Sequence, residues 1–270
     1  MQPEPFTAPV TGHVLSTLAL TGRRVGVTRA AAQSESLRYL LSEQGAIVQN
    51  IPVVRIGPAP DERLLRREVE KLSTFDWIVF TSANAVNPVT SLIGTRRRAE
   101  RLPQIAAVGS ATARAITSAG LQVNYVSGSN GNILGATLPD VRDAKVLLPQ
   151  SNIALRSVAD ELRKRGANVT AVVAYVTERD ESAAPLTQAF FSHSVDAVIF
   201  TSPSTVKFFF ELATRVGIDV VAFAAMKTKW VCIGPTTSRA LEAWGLHAAA
   251  VAECPSDDAL VVATAGLFYD

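Results

Sequence analysis

One phrase of this chain is written twice: Asp76, Trp77, Ile78, Val79, Phe80, Thr81, Ser82 returns as Asp196, Ala197, Val198, Ile199, Phe200, Thr201, Ser202. Each copy is followed by a short apolar run ending in Gly and a Thr-bearing helix start, Ile105 to Gly109 with Ser110 and Thr112, then Trp230 to Gly234 with Thr236 and Thr237. Each is preceded by an apolar run, a helix-period segment and a second apolar run: Arg24 to Val54 in one case, Lys145 to Tyr175 in the other. Phe80 and Phe200 lie 120 positions apart, Gly109 and Gly234 125. A period of that size belongs to whole domains, not to a solenoid. The chain therefore reads as an internal duplication.

Short apolar runs alternate with helix-period segments, the pattern of parallel βα units whose strands are covered on both faces. The expected class is α/β, with two flavodoxin-like domains of about five strands each. Leu37, Leu40 and Leu41 stripe one helix and Gly45 stops it; Leu155, Val158 and Leu162 stripe another, stopped by Gly166. Gly120 and Gly245 close two more. Helices are expected near Asn84, Ser110, Ser204 and Thr236, each with a polar cap residue. Pro88 is expected to bend or restart the first of these.

The linkers favour an exchange of the first βαβ piece over a tandem cut. Pro52, Pro58 and Pro60 punctuate the stretch after the first piece, and Thr177 to Pro185 is polar after the second. This places one discontinuous domain at 21–53 plus 178–266 and another at 56–174, with a tail at 1–20. The 270 residues, 48% apolar and 19% charged, suffice for two cores. A net charge of +2 does not suggest nucleic-acid binding, and the run Arg96, Arg97, Arg98 and Arg101 also suits a helix C-terminus. No apolar stretch has membrane length and the start lacks a basic leader, so the expectation is a cytoplasmic monomer that touches neither membrane nor nucleic acid.

In such sheets ligands sit beyond the strand C-termini. Ser82, Ser110, Thr112, Ser202, Ser204, Thr236 and Thr237 all fall there, where they suit either capping or a ligand. Of the histidines, His13 lies in the tail, His193 at a helix end and His247 after Gly245, none beside a nucleophile. No phosphate loop, dinucleotide fingerprint, zinc motif or nucleophile elbow appears. The sequence thus points to chemistry without metal, cofactor or covalent nucleophile. Cys232 reads as a core residue. Tyr175 stands out, ending an aliphatic run at an expected domain crossing.

Taken in order, Val27 Thr28 Arg29, Phe80 to Val86, Val108 to Ala113, Phe200 to Ser204 and Ile233 to Thr237 resemble the uroporphyrinogen-III synthase family, over about Thr21 to Ala263. The resemblance implies two flavodoxin-like domains joined by two crossing strands around an open cleft. It also implies closure of hydroxymethylbilane to uroporphyrinogen III, with inversion of the last pyrrole ring, loss of water and no cofactor. Tyr175 would assist loss of the hydroxyl. Thr112, Ser202 and Thr237 would line the cleft and Ser82 and Ser204 its rim, with Ser110, Thr236, Arg29, Lys229 and Arg55 nearby. A non-catalytic tetrapyrrole or anion sensor on the same fold is the alternative, and a two-domain solute-binding protein a more distant one.

Overall fold

The computed structural model describes residues 18–97, 102–128, 131–192, 195–219 and 227–269. His13, His193, Arg98 and Arg101 lie outside them, as does most of the 1–20 stretch, and the side chains of Arg96 and Arg97 are not described. The chain divides into two compact units: one holds the residues up to Val53 and from Asp180 on, the other Val54–Arg179.

The first unit is a parallel sheet in the order β2-β1-β9-β10-β11. Its strands are β1 (Arg24–Val27), β2 (Ile47–Asn50), β9 (Ala197–Phe200), β10 (Lys229–Cys232) and β11 (Ala250–Val251). One face is covered by α1 (Glu35–Glu43) and α10 (Asp257–Ala265), whose Leu37, Leu41, Leu260 and Val261 pack on Val25, Val27, Ile199 and Val231. The helices α7 (Ala184–Ser192), α8 (Pro203–Arg215) and α9 (Pro235–Glu242) complete the unit. An aromatic cluster of Phe190, Phe200, Phe209, Phe210 and Trp230 fills it, with adjacent ring centroids 5.3–6.4 Å apart. Such pairs add about 0.5–1.5 kcal/mol beyond the area they bury. Leu20 is fully buried here, so packing begins inside the stretch read from sequence as a tail.

The second unit carries six strands in the order β3-β8-β7-β4-β5-β6. They are β3 (Val54–Pro58), β4 (Trp77–Phe80), β5 (Gln104–Val108), β6 (Tyr125–Ser127), β7 (Lys145–Ser151) and β8 (Asn168–Arg179). All pairings are parallel except β3 with β8. Pro58 is tolerated because β3 is an edge strand, where a missing N–H breaks no ladder. The helices are α2 (Glu62–Glu70), α3 (Val86–Arg97), α4 (Gly109–Ser118), α5 (Gly131–Thr137) and α6 (Ser157–Lys164).

Several local expectations change. Pro88 falls in the first turn of α3, where its missing N–H is not needed, and the chain instead leaves helical geometry at Gly94 (φ 59°, ψ 176°). Leu155 precedes α6 and is 74% exposed, so the buried stripe is Val158, Ala159 and Leu162. The run Val169 to Ala174 is only the start of β8, which continues as a twelve-residue strand. The segments α2 and α5 were not legible in the periodicity. Asp61 accepts from Leu64 N at 2.9 Å and caps α2. Gly131 and Gly135 let α5 pack on α6, since a Cβ would meet Val158 at 2.7 Å and Glu161 at 2.8 Å.

Candidate functional site

In the second unit the strands set a common level at their C-terminal ends. The register Trp77↔Gln104 and Trp77↔Val146 carries forward to place Ser82, Gly109 and Ser151 abreast, just beyond the last paired residues of β4. Ser151 in turn pairs with Tyr175 on β8. Ser82, Ser110 and Tyr175 are therefore brought to one sheet edge, and Thr112 follows one turn into α4. The Ser82 Oγ accepts from Asn84 N at 3.2 Å. The start of α4 differs from expectation: its N-cap is Val108, and no side chain caps it. Ser110 is exposed and Thr112 is buried.

The first unit builds the same kind of edge. Its register runs Val27↔Ile199↔Val231, so Arg29, Ser202 and Gly234 follow the strand ends at closely similar levels. Ser202 caps α8 in a reciprocal box with Thr205 and also lies 2.8 Å from Ser204 Oγ. Gly234 precedes α9 with no side-chain cap, so Thr236 and Thr237 do not serve as caps either. Pro235 at the first helical position needs no N–H partner. Arg29 reaches Asp257 Oδ1 at 2.8 Å in a mostly buried ion pair, a partner that sequence reasoning missed because it lies across the unit.

The hydroxyl hydrogen bonds separate Thr112 and Thr237 from the rest. Every other buried Ser and Thr among the described residues has a hydrogen-bond partner for its hydroxyl: Thr28 gives it to Ile199 O, Thr228 to Val195 O, Thr187 to Ala183 O and Thr264 to Leu260 O. Thr112 is 4% exposed and Thr237 2%, yet neither side chain has a partner among the described residues. A helical Thr can return its hydroxyl to the carbonyl one turn back, and these two do not. Their oxygens are not among the side-chain atoms sealed from solvent without a partner, which are Gln44 Oε1 and Asn50 Oδ1. Each hydroxyl therefore keeps part of the small surface its residue retains. Both threonines stand three residues after the glycine at a strand end, one in each unit. Tyr175 is similar: it is 6% exposed, belongs to the same core cluster as Ile78, Phe80, Val172 and Ala174, and its phenol has no partner among the described residues.

Not every candidate is brought to these edges. Lys229 begins β10 beside Ala197, at the N-terminal end of the strands and so opposite to Ser202 and Thr237, and it is set aside from the site. Arg55 does lie at the edge of the second unit, opposite Glu178 and three residues past Tyr175 along β8, where its guanidinium meets the Glu178 carboxylate at 2.8 Å. His247 is exposed. Cys232 is fully buried, and burial, with a lesser contribution from the Glu242 carboxylate, pushes its thiol from 9.0 up to about 12. It is inert core, as its apolar run suggested. Among the described residues, no helix is long and apolar enough to cross a membrane.

A family model described as "Uroporphyrinogen-III synthase HemD" matches residues 35–262. The chain is 30% identical over 233 residues to a uroporphyrinogen-III synthase of Synechococcus elongatus, covering 81% of this chain and 85% of that protein. It is 29% identical to a putative uroporphyrinogen-III synthase of Methanothermobacter thermautotrophicus, over 83% and 90% of the two chains. Among solved structures, a mutant uroporphyrinogen III synthase from Thermus thermophilus is similar in fold with a TM-score of 0.64 and 23% identity, over 91% of this chain and 97% of that one. The uroporphyrinogen-III synthetase of Helicobacter pylori gives a TM-score of 0.59 at 18% identity, over 91% and 99%.

Proposed function

The chain belongs to the uroporphyrinogen-III synthase family, and on that premise we propose that it closes hydroxymethylbilane to uroporphyrinogen III, with Tyr175 as the group that assists loss of water. The observation that carries the site is the pair of nearly buried threonines with unpartnered hydroxyls, Thr112 and Thr237. A buried hydroxyl without a partner is ordinarily unfavourable by about 1–3 kcal/mol, and one that keeps a little surface can recover this from an external partner. Two such groups at matching places argue for one. A polycarboxylate chain supplies that partner. Its acid groups accept from hydroxyls and from helix-start amides that no side chain caps, at α4 and α9.

The chemistry asks little of the protein's acids. The pyrrole nitrogen pushes electron density toward the hydroxymethyl carbon as its C–O bond breaks, and the leaving oxygen takes up a proton to depart as water. A phenol donating a hydrogen bond to that oxygen lowers the barrier without itself being a strong acid. Positioning does the rest, because holding the two ends of the bilane in reach converts ring closure into a favourably oriented intramolecular step. In this reading Thr112, Ser110 and Ser82, and likewise Thr237, Thr236, Ser202 and Ser204, are donors for acid side chains. Arg29, whose charge is partly met by Asp257, adds a donor. The protein acts as a cytoplasmic monomer on a small molecule, with no nucleic-acid partner and no cofactor.

The test is turnover of hydroxymethylbilane with identification of the ring isomer. The type III isomer, formed faster than spontaneous closure, is the expected product. Type I isomer alone, at the spontaneous rate, would overturn the reading in favour of a non-catalytic tetrapyrrole-binding protein.

A further inference from the structure

The strand carrying Tyr175 contains a register fault. Pairing of β7 with β8 is regular from Lys145↔Asn168 to Gln150↔Val173, but the next residue, Ser151, pairs with Tyr175. Ala174 is the extra residue of a bulge. Its effect shows in the packing: Val172 lies on one face of the sheet, and both Ala174 and Tyr175 join it there, two consecutive residues on the same side. Without the bulge, alternation would send the phenol to the opposite face. The bulge is therefore what aims Tyr175.

A single residue fastens this fault. Asn152 Oδ1 accepts from Thr177 N at 2.8 Å and from Ser151 Oγ at 3.0 Å, while Asn152 N donates to Tyr175 O at 3.3 Å. Ser151 Oγ also lies 3.0 Å from Thr177 Oγ1. The carboxamide thus ties the residue after β7 to Thr177, two residues beyond Tyr175, while the Asn152 main-chain N–H holds Tyr175 itself, both just past the extra residue. It replaces ladder bonds that an insertion necessarily breaks.

We propose that Asn152 is a positioning residue for Tyr175, holding the bulge that directs the phenol. The inference rests on the reading above in which Tyr175 assists water loss. Asn152 itself touches no reacting atom; it acts through the strand.

The experiment is a double-mutant cycle on hydroxymethylbilane turnover, with melting temperature followed for each variant. Asn152→Ala is expected to lower kcat about fivefold or more with KM changed less than about twofold. Asn152→Asp keeps an oxygen in place to accept both bonds and is expected to stay within about twofold of the parent. In a Tyr175→Phe background, Asn152→Ala should add no further loss, since the group it serves is gone. Should Asn152→Ala not fold, Ser151→Ala removes one donor to Asn152 Oδ1 and is read in the same cycle. Equal losses from Asn152→Ala in both backgrounds, or full turnover in Asn152→Ala, would overturn the positioning role while leaving Tyr175 in place. Full turnover in Tyr175→Phe alone would instead remove the Tyr175 reading, and this inference with it.

Discussion

β2 and β8 occupy corresponding places, each beside the strand that precedes it in a βαβ piece, and they end differently. β2 pairs with β1 from Ile47 to Asn50 and stops before Pro52. β8 begins in the same register, Lys145↔Asn168 as Arg24↔Ile47, but runs on through the bulge to Arg179, with β3 covering its outer side. β2 ends at Asn50, whereas the bulge lets β8 continue with an altered aim. The lesson is that two sheets of one plan share the hydroxyl-bearing edges, yet only the longer strand presents a phenol. Proposed binding residues occur in both units; the proposed catalytic residue occurs in one.

The largest effect expected follows from that asymmetry. Tyr175→Phe should lower turnover at least tenfold, about 1.4 kcal/mol in the barrier, with the melting temperature unchanged. The phenol has no partner among the described residues, so its loss leaves no internal donor or acceptor stranded. Unaltered steady-state kinetics would make β8 merely a longer strand.

The threonines come next, and here the two units should behave alike. Thr112→Val and Thr237→Val are each expected to raise KM several-fold while leaving urea stability within about 0.5 kcal/mol of the parent, because no internal bond is lost. Thr264→Val, which breaks the bond to Leu260 O at 2.7 Å, should cost about 1 kcal/mol and leave KM alone. If Thr112→Val were as destabilising as Thr264→Val, its hydroxyl would have a structural partner and the substrate-binding role would fall.

What the sequence disclosed and what it hid have physical reasons. Gly45, Gly120, Gly166 and Gly245 all take positive φ, at 82°, 78°, 91° and 74°, because a helix that ends in a left-handed turn favours the residue without a Cβ. The alternation of apolar runs with helices was equally plain. α5 was not, since two glycines in a seven-residue segment look like a loop until the neighbour they accommodate is known. Leu155 matched a helical stripe in spacing, but the turn of Asn152 to Arg156 intervenes before α6 starts. At the site, residue types at the strand ends were legible. The unpartnered state of Thr112 and Thr237, the Arg29–Asp257 pair and the bulge under Tyr175 were not, because each depends on atoms far along the chain.

A smaller effect tests how closely the scaffolds correspond. Asp76 Oδ2 accepts from Lys145 N at 2.8 Å, and Asp196 Oδ2 from Arg24 N at 2.8 Å. Each Asp N–H also donates to the carbonyl of that same residue, at 2.9 Å in both units. The repeated Asp is thus a clasp joining the starts of two neighbouring strands. Asp76→Ala and Asp196→Ala should each cost about 1 kcal/mol in urea, Asp196 slightly more because it also receives Arg23. Trp77 reports on one unit and Trp230 with Trp244 on the other, so the fluorescence of one variant lacking Trp77 and of another lacking Trp230 and Trp244 separates them. A destabilisation seen only for Asp196 would mean that the clasp is not shared in energy as it is in geometry.

The least effect distinguishes the units by pH. Cys232 of β10 pairs with Phe200 of β9, and Ala107 of β5 pairs with Phe80 of β4, so only one core carries an ionisable group at this place. Burial raises the Cys232 thiol from 9.0 to about 12 in the fold, while in the unfolded chain it ionises near its ordinary value. Its contribution is therefore fully present below about pH 9 and is lost as pH rises toward 12, because the unfolded state sheds its proton first. Tyrosines and lysines also titrate in that window, so the informative quantity is the difference between parent and Cys232→Ala. The parent's extra decline in stability between about pH 8 and about pH 10.5 should vanish in the variant when read from Trp230 and Trp244, and should be absent at either composition when read from Trp77. A decline equal in both signals would show that the thiol's ionisation is felt by the two cores together.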